Sequence, residues 1–408
     1  MTATLNRTLS LPQMVLYGLG TTIGAGIYAL VGELAGVSGY LAPLAFLVAA
    51  LLAGMTALSF AELSGRFPQA AGAALYVKQG FDSDRLSTLI GLMVVLAGLV
   101  SASALMNGFV GYLSELIDLP AQLGIIIMVL IIGGLAAWGI AESVFVAATI
   151  TLVEVGGLLL IIYSGLPSFE NWPELSHHFT PDWNLSSLGL VYSGVLLAFF
   201  AFIGFEDMVD VAEEIKDVKR TLPLAIIFTL GITTVLYISI MLIALLSFPP
   251  DTLAQSQAPL AFLYEFHSGE NATLITYIGI FAIINGALIQ TIMASRVLYG
   301  LSSRGLIPKP FSRVNAKTHT PLLATLTASL IVLVLALAGN LSTLAETTSI
   351  IMLSVFAIVN LSLWRIKHHQ PAPYGILSVP RWVPLLGFLS SSTLVLYELF
   401  DFLKGVAS

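Results

Sequence analysis

Gly18, Gly20, Gly24, Gly26 and Gly32 crowd the first apolar segment of this chain, Pro12 to Leu34, whose centre reads GLGTTIGAGIYALVG. Glycine in a helix interior costs stability and leaves the backbone open to other conformations. Inside a bilayer a freed N–H or C=O finds no water, so a break is tolerated only where protein or a water-filled cavity satisfies it. Two readings of the stretch stand open. Either the helix is interrupted near the midplane, as in many secondary transporters, or the glycines let neighbouring helices approach closely.

The remainder of the chain sets that segment in a membrane. Hydrophobic residues make up 57% of it and charged residues 10%, and the mean hydropathy is +0.95. Runs of about 20 apolar residues, the length that spans hydrocarbon, recur throughout. Eleven spans are expected, with cores near 12–34, 39–65, 86–115, 121–140, 143–165, 186–208, 221–248, 271–302, 320–339, 341–366 and 380–403. The opening MTATLNRTLSLPQ is too polar for a signal peptide, so the first span is read as structure. With the N-terminus inside, every Lys and Arg except Lys404 falls on the inner face, which the positive-inside rule requires. The expected location is a plasma or bacterial inner membrane, with the N-terminus cytoplasmic and the C-terminus external. No basic tract suits nucleic acid. The chain has no cysteine, which excludes thiolate metal sites and a disulfide-linked subunit. His177-His178 and His368-His369 show no metal-ligand spacing.

Span 6 carries a second interruption, in LLAFFAFIGFEDMVDVAEEIKDVKRTLP. Gly204 sits in an aromatic run and is followed at once by Glu206 and Asp207, and acids at membrane depth usually mark function. Spans 1 and 6 are five apart, so the two halves enter the membrane from opposite sides. That pattern predicts an all-α polytopic fold with an inverted five-plus-five repeat, each half opened by a glycine-broken helix. The first repeat is placed at about 12–165, the second at about 186–366 and an extra helix at about 380–403, all in one transmembrane domain spanning 1–408.

Three stretches give the chain a family resemblance: GTTIGAGIYALVGELAG in span 1, FFAFIGFEDMVDVAEEIKDVKRTLPLAI at span 6, and SRVLYGLSSRGLIPKPFSRVNAKTHTP after span 8. The chain resembles members of the amino acid–polyamine–organocation superfamily, close to bacterial amino acid permeases. The resemblance implies the leucine-transporter-type fold, alternating access and a substrate with an α-amino acid group. It implies that the N–H groups of Gly24, Ala25 and Gly26 take the carboxylate, and that the carbonyls of Thr22 and Ile23 face the amine. Carbonyls of Phe200 and Ile203 would take the amine from span 6, with Phe200 also a lid over the substrate. Glu206 falls at an acidic position linked to gating or proton sensing, and capping of backbone donors is its other reading. Gln290 falls at a position facing the substrate side chain; Ser103 and Asn285 are weaker candidates that also suit helix–helix hydrogen bonds. Many members have twelve spans. Eleven here would bear on oligomer contacts, whose state is unread, rather than on a core placed in spans 1 to 10.

Glu154 is the sharpest chemical feature, an acid inside span 5 with no basic residue in that span. Proton-coupled relatives carry a lysine near this position, so their mechanism does not transfer unchanged. Three roles stay open. Glu154 carries the coupling proton; or it holds Na⁺ with carbonyls of Gly20 and Ile23 and hydroxyls of Thr291 and Ser295, a hard-oxygen set; or it is a protonated, hydrogen-bonded structural group. The outer segment PPDTLAQSQAPLAFLYEF reads as a short interfacial helix or a proline-broken loop. The expected function is amino acid transport by proton symport, with neutral substrates favoured. An exchanger, a Na⁺ symporter and a non-transporting amino acid sensor are the alternatives. A membrane enzyme finds no support, since HExxH, P-loop and nucleophile-elbow motifs are missing, and no cofactor is expected.

Overall fold

Long apolar runs become helices here because hydrocarbon offers the backbone no hydrogen-bond partner outside itself. The computed structural model describes the backbone of residues 9–69, 72–138, 144–182, 184–303, 305, 307–315, 317–318 and 320–407. Fifteen α-helices follow in chain order among them. Leu11–Ser38 (α1) and Ala42–Arg66 (α2) open the chain, followed by the short Gly72–Phe81 (α3). Asp84–Ser114 (α4), Ala121–Trp138 (α5), Val144–Gly165 (α6) and the one-turn Trp172–Leu175 (α7) come next. Leu185–Phe200 (α8) and Val218–Ser247 (α9) flank a 3₁₀ stretch, and Pro250–Gln255 (α10) and Pro259–Ser268 (α11) are short. Thr273–Ser303 (α12), Leu322–Ala338 (α13), Leu341–His369 (α14) and Trp382–Ala407 (α15) complete the set. The expected ends of span 4 at 140 and span 5 at 143, and the basic residues Arg7 and Arg304, lie outside the described residues.

One expectation needs correcting. The first span is not interrupted: α1 runs as 28 residues of continuous α-helix through Gly18, Gly20, Gly24 and Gly26. Its glycines serve close approach instead, as described below. Among the described residues, nine helical stretches are long and apolar enough to cross a membrane, one of them joining the expected first and second spans. That stretch, Gly26–Arg66, includes the α1–α2 corner, where Gly39 takes φ of +57° and a 3₁₀ turn covers Gly39–Leu41, and α13 is a shorter apolar helix of 17 residues. The result is a multi-pass membrane protein. The break in span 6 is present. The helix α8 ends at Phe200, residues 201–204 form a turn, and a 3₁₀ helix continues over Phe205–Glu214. The proline-rich outer segment forms two short helices, α10 and α11. The short helix α3, between the second and third spans, had no counterpart in the sequence reading.

Burial sorts the helices. The helix α1 is central, packed on α6, α8, α9 and α12, with Ile23, Ile27, Tyr28, Leu30, Val31 and Leu34 fully buried. Peripheral helices expose apolar side chains instead: Leu130 and Ile131 on α5, Leu326 and Leu330 on α13, Leu396 on α15. Exposed leucine and isoleucine in such numbers suit a lipid solvent.

A polar seam joins α2 to α14. Thr56, Ser59, Glu62 and Arg66 recur at three- and four-residue steps and so share one face of α2. Asn360 on α14 donates to Thr56 Oγ1 at 2.9 Å and accepts from Ser59 Oγ at 2.6 Å. One turn nearer the basic end, the fully buried Glu62 carboxylate accepts from Lys367 Nζ at 2.7 Å on both oxygens. Arg66 Nη2 reaches Oε1 at 2.7 Å and the Val379 N–H reaches Oε2 at 2.8 Å. Removing one partner of a buried ion pair costs about 3–5 kcal/mol, because the other charge is left uncompensated. Glu62→Ala is therefore expected to lower the denaturation midpoint of the purified protein in detergent by a corresponding margin. A midpoint equal to the parent's would mean that the pair adds nothing to stability.

Candidate functional site

The break in span 6 is held open by direct contact with α1. Gly204 has φ of +122°, in a region that L side chains rarely adopt, and a Cβ there would lie 2.3 Å from the carbonyl oxygen of Thr21. On the other side of the break, a Cβ on Gly26 would lie 2.6 Å from Cα of Ala201. Thr21 meets Gly204 while Gly26 meets Ala201, so the two strands of backbone run in opposite directions where they touch. Thr21 Oγ1 donates to the Gly204 carbonyl at 3.0 Å. Tyr237 on α9 brings its buried hydroxyl to 3.0 Å from the carbonyls of both Thr22 and Ala201. Glu206 Oε2 accepts the Gly204 N–H at 2.9 Å. The freed backbone groups of the break thus find partners inside the protein.

A small cavity opens beside this junction, about 20 Å³ in volume, room for about one water. Thr21, Thr22 and Gly26 of α1, Ser101 and Leu105 of α4, Phe200 and Ile203 at the break, and Gly286, Ile289 and Gln290 of α12 line it. None of these side chains is charged. The aromatic run divides by direction. Phe200 faces the cavity, whereas Phe202 packs on Phe46 and Tyr237, and Phe205 sits between Phe60 and Phe356.

The expected site residues are therefore partly assembled. Thr22, Gly26, Phe200, Ile203 and Gln290 meet at one cavity. Gly24 and Ala25 belong to α1 by backbone, and their surroundings lie outside the described residues. The Thr22 carbonyl is occupied by Tyr237, and the Phe200 carbonyl accepts the Ile203 N–H at 3.1 Å. Ile23 is fully buried. Ser103 does not line the cavity; its hydroxyl donates to Leu99 on its own helix at 2.7 Å and to Val332 on α13 at 3.2 Å. Ser101 lines it instead, and the two-residue offset is a rotation of about 200° on a helix. Asn285 is buried on α12 but is not among the lining residues. Thr21, Ser101, Leu105, Gly286 and Ile289 were missed. The i, i+4 pair Ser101 and Leu105 was the available sign, since it shares a helix face.

Glu154 lies on α6, 1% exposed. Its main-chain carbonyl accepts the Tyr28 hydroxyl at 2.9 Å, and Tyr28 and Tyr237 lie within electrostatic reach of its carboxylate. Gly20 packs on the same helix at Thr151. Thr291 faces a different hollow, walled by Met106, Val129, Ile132, Ser329 and Val332 of α4, α5 and α13. Its hydroxyl and that of Ser295 donate to carbonyls of their own helix. The structure does not bring Thr291 together with Glu154 as a cation shell.

A second cavity, of about 80 Å³, lies toward the basic end. Gly72, Ala73 and Ala74 of α3, Gly91 and Val94 of α4, Val297 of α12, Met352 of α14, Glu206 and Asp207 line it. Val94 precedes Ser101, and Val297 follows Gln290, by two helical turns, about 10 Å. The two cavities thus lie one behind the other along the same faces of α4 and α12. Asp207 is buried, and its Oδ2 has no hydrogen-bond partner among the described residues.

Comparison with known proteins places this geometry. The sequence profile of the Amino acid permease family matches residues 9–401. The chain belongs to that family. It is 31% identical to cationic amino acid transporter 2, vacuolar, of Arabidopsis thaliana, over 91% of this chain and 62% of that protein. It is 27% identical to the branched-chain amino acid permease BcaP of Bacillus subtilis, over 90% and 82% of the two chains. It is 26% identical to the methylthioribose transporter of the same bacterium, over 95% and 87%. The chain spans 62% to 64% of the length of the first three plant relatives it matches.

For this family member the junction between α1 and the break carries two expectations. Gly204→Ala forces a side chain into both an unfavourable φ and the Thr21 backbone, at a cost of about 1–3 kcal/mol from conformation alone. Tyr237→Phe removes one bridging hydroxyl, at about 0.5–1.5 kcal/mol. Thermal denaturation in detergent should therefore rank Gly204→Ala below Tyr237→Phe and both below the parent. The opposite ranking would show that the hydroxyl, not the backbone contact, holds the break.

Proposed function

We propose that this protein is a secondary transporter that moves amino acids across a membrane by alternating access. The observation that carries the reading is the uncharged cavity at the junction of α1 with the broken span, in a chain of the Amino acid permease family. A zwitterion needs donors for its carboxylate and acceptors for its ammonium, and main-chain groups at a helix break supply both. Transport of cationic or branched-chain amino acids is named for two of the relatives, and of methylthioribose for a third. An uncharged lining favours substrates whose side chain is neutral.

In this reading the cavity, about 20 Å³, is a closed form of the site, and α1 loosens at its glycines when substrate enters. The N–H groups of Gly24, Ala25 and Gly26 then take the carboxylate. The carbonyls of Ile23, Phe200 and Ile203 take the ammonium, Phe200 covers the substrate, and Gln290 and Ser101 face its side chain. Release proceeds toward the basic end through the cavity at Glu206 and Asp207. Two five-helix repeats in eleven crossings, with the basic end and the N-terminus in the cytoplasm of a plasma or inner membrane, supply the alternating motion. Glu154, buried on α6 beside Tyr28 of α1 and Tyr237 of α9, carries the coupling proton, since an acid within a span by default marks function. Exchange of one amino acid for another is the competing reading.

Uptake of a panel of labelled amino acids into proteoliposomes, with and without an inward proton gradient, tests both. Gradient-driven accumulation of neutral amino acids, lost in Glu154→Gln while counterflow persists, is the expected result. Uptake only into vesicles preloaded with amino acid would establish exchange and leave Glu154 structural. No uptake and no counterflow of any amino acid would overturn the transport reading.

A further inference from the structure

At the basic end of the bundle, α2, α14 and the segment leading into α15 enclose a third cavity, of about 300 Å³. Its walls include Arg66, Lys367, Ser378 and Arg381. Three cations therefore face a pocket with no acid among its described lining residues, and Glu62 pairs with two of them behind it.

That carboxylate is already saturated. Oε1 accepts from Arg66 Nε at 3.0 Å, Arg66 Nη2 at 2.7 Å and Lys367 Nζ at 2.7 Å, and Oε2 accepts from Lys367 Nζ and the Val379 N–H. A carboxylate offers about four lone-pair sites, and these five contacts, with a longer one from Ser378 Oγ at 3.5 Å, exceed them. Lys367 is used up as well, since its remaining proton goes to Ser378 Oγ at 3.1 Å. The two arginines are differently placed. Among the described residues, Arg66 Nη1 meets the carbonyls of Gln370 and Pro371, at 3.4 and 3.3 Å, beyond the usual range for a strong N–H···O bond. Arg381 is exposed at the rim and contacts the Lys367 carbonyl through Nη2 at 2.9 Å. Counting Glu62 against Arg66, Lys367 and Arg381 leaves the pocket with a surplus of positive charge. Arg66 and Lys367 hold part of that surplus where solvent screening is weak, with side chains 3% and 7% exposed.

We propose that this pocket is an anion site that binds a phosphate group, with Arg381 and the Nη1 edge of Arg66 as its ligands. Guanidinium groups match phosphate oxygens in pairs and are less strongly hydrated than ammonium. The volume admits a phosphate with its glycerol ester, and the site lies where helices end at a membrane surface, the level at which basic pockets meet anionic headgroups. An anionic phospholipid and a free phosphate share this chemistry. Bound phosphate would tie α2, α14 and the start of α15 together, reinforcing the Glu62 seam from outside.

The test uses the full chain purified in a non-ionic detergent. Native mass spectrometry counts retained lipid, and thermal denaturation reads stabilisation, on titration with phosphatidylglycerol, phosphatidylcholine or inorganic phosphate. The variant is Arg381→Ala, exposed and outside the Glu62 ion pair. Arg313→Ala, another exposed cation of the basic end, is the control. Phosphatidylglycerol is expected to bind and raise the midpoint, phosphatidylcholine to do neither, and Arg381→Ala to weaken binding roughly tenfold or more, as loss of a charged hydrogen-bond pair does. Arg313→Ala should leave binding unchanged. Stabilisation by inorganic phosphate alone, lost in Arg381→Ala, would keep the anion site and make its source soluble. Equal binding by the parent and Arg381→Ala, equal weakening by both variants, or no response to either phosphate source would overturn it.

Discussion

One contact governs this structure: the backbone of α1 lying against the broken backbone of the sixth span. A helix that stops inside hydrocarbon strands N–H and C=O groups, each costing several kcal/mol if unmet. Here those groups are met by Thr21, Tyr237, Glu206 and local 3₁₀ turns. All of this requires main chain to touch main chain, which is possible only because positions 26 and 204 carry no side chain. The central cavity is the space left where two rods of opposite direction meet at their thinnest points.

Around that junction the charges lie outside the central cavity, most of them toward the basic end. The cavity itself has no charged lining residue. Glu206 caps the Gly204 N–H and, with Asp207, lines the second cavity toward the basic end, and Glu62, Arg66 and Lys367 close the α2–α14 seam at that same end. Glu154 is the exception, buried behind α1 and facing tyrosines. Such a layout leaves the centre to main-chain dipoles, which recognise charge without adding a net charge of their own. It also leaves the seam and the break as places where a change of electrostatics would alter helix packing.

Much of the fold was legible in the sequence. Hydrophobic length placed each long helix within a few residues, and the aromatic run with Gly204 and two acids marked the break in the sixth span. The reading of α1 failed for an instructive reason. Glycine at close helix contacts and glycine at a helix break look alike in one dimension, and only the partner, here Ala201 against Gly26, tells them apart. Phe200, Ile203 and Gln290, which the family resemblance had named, do meet at one cavity. The site was not legible in α4, where Ser101 and Ser103 are chemically identical and differ only in helical phase.

By itself the sequence determined that this chain lives in a membrane, which end of it is basic, and where the backbone of the sixth span must yield, because hydrocarbon length, charge segregation and a glycine among aromatics are local properties. Only the tertiary structure decided that α1 stays whole, that the Thr22 carbonyl belongs to Tyr237, that Thr291 lines a hollow with α4, α5 and α13, and that Glu62 gathers Arg66 and Lys367. Those outcomes depend on which faces of distant helices meet, and no local pattern carries that information.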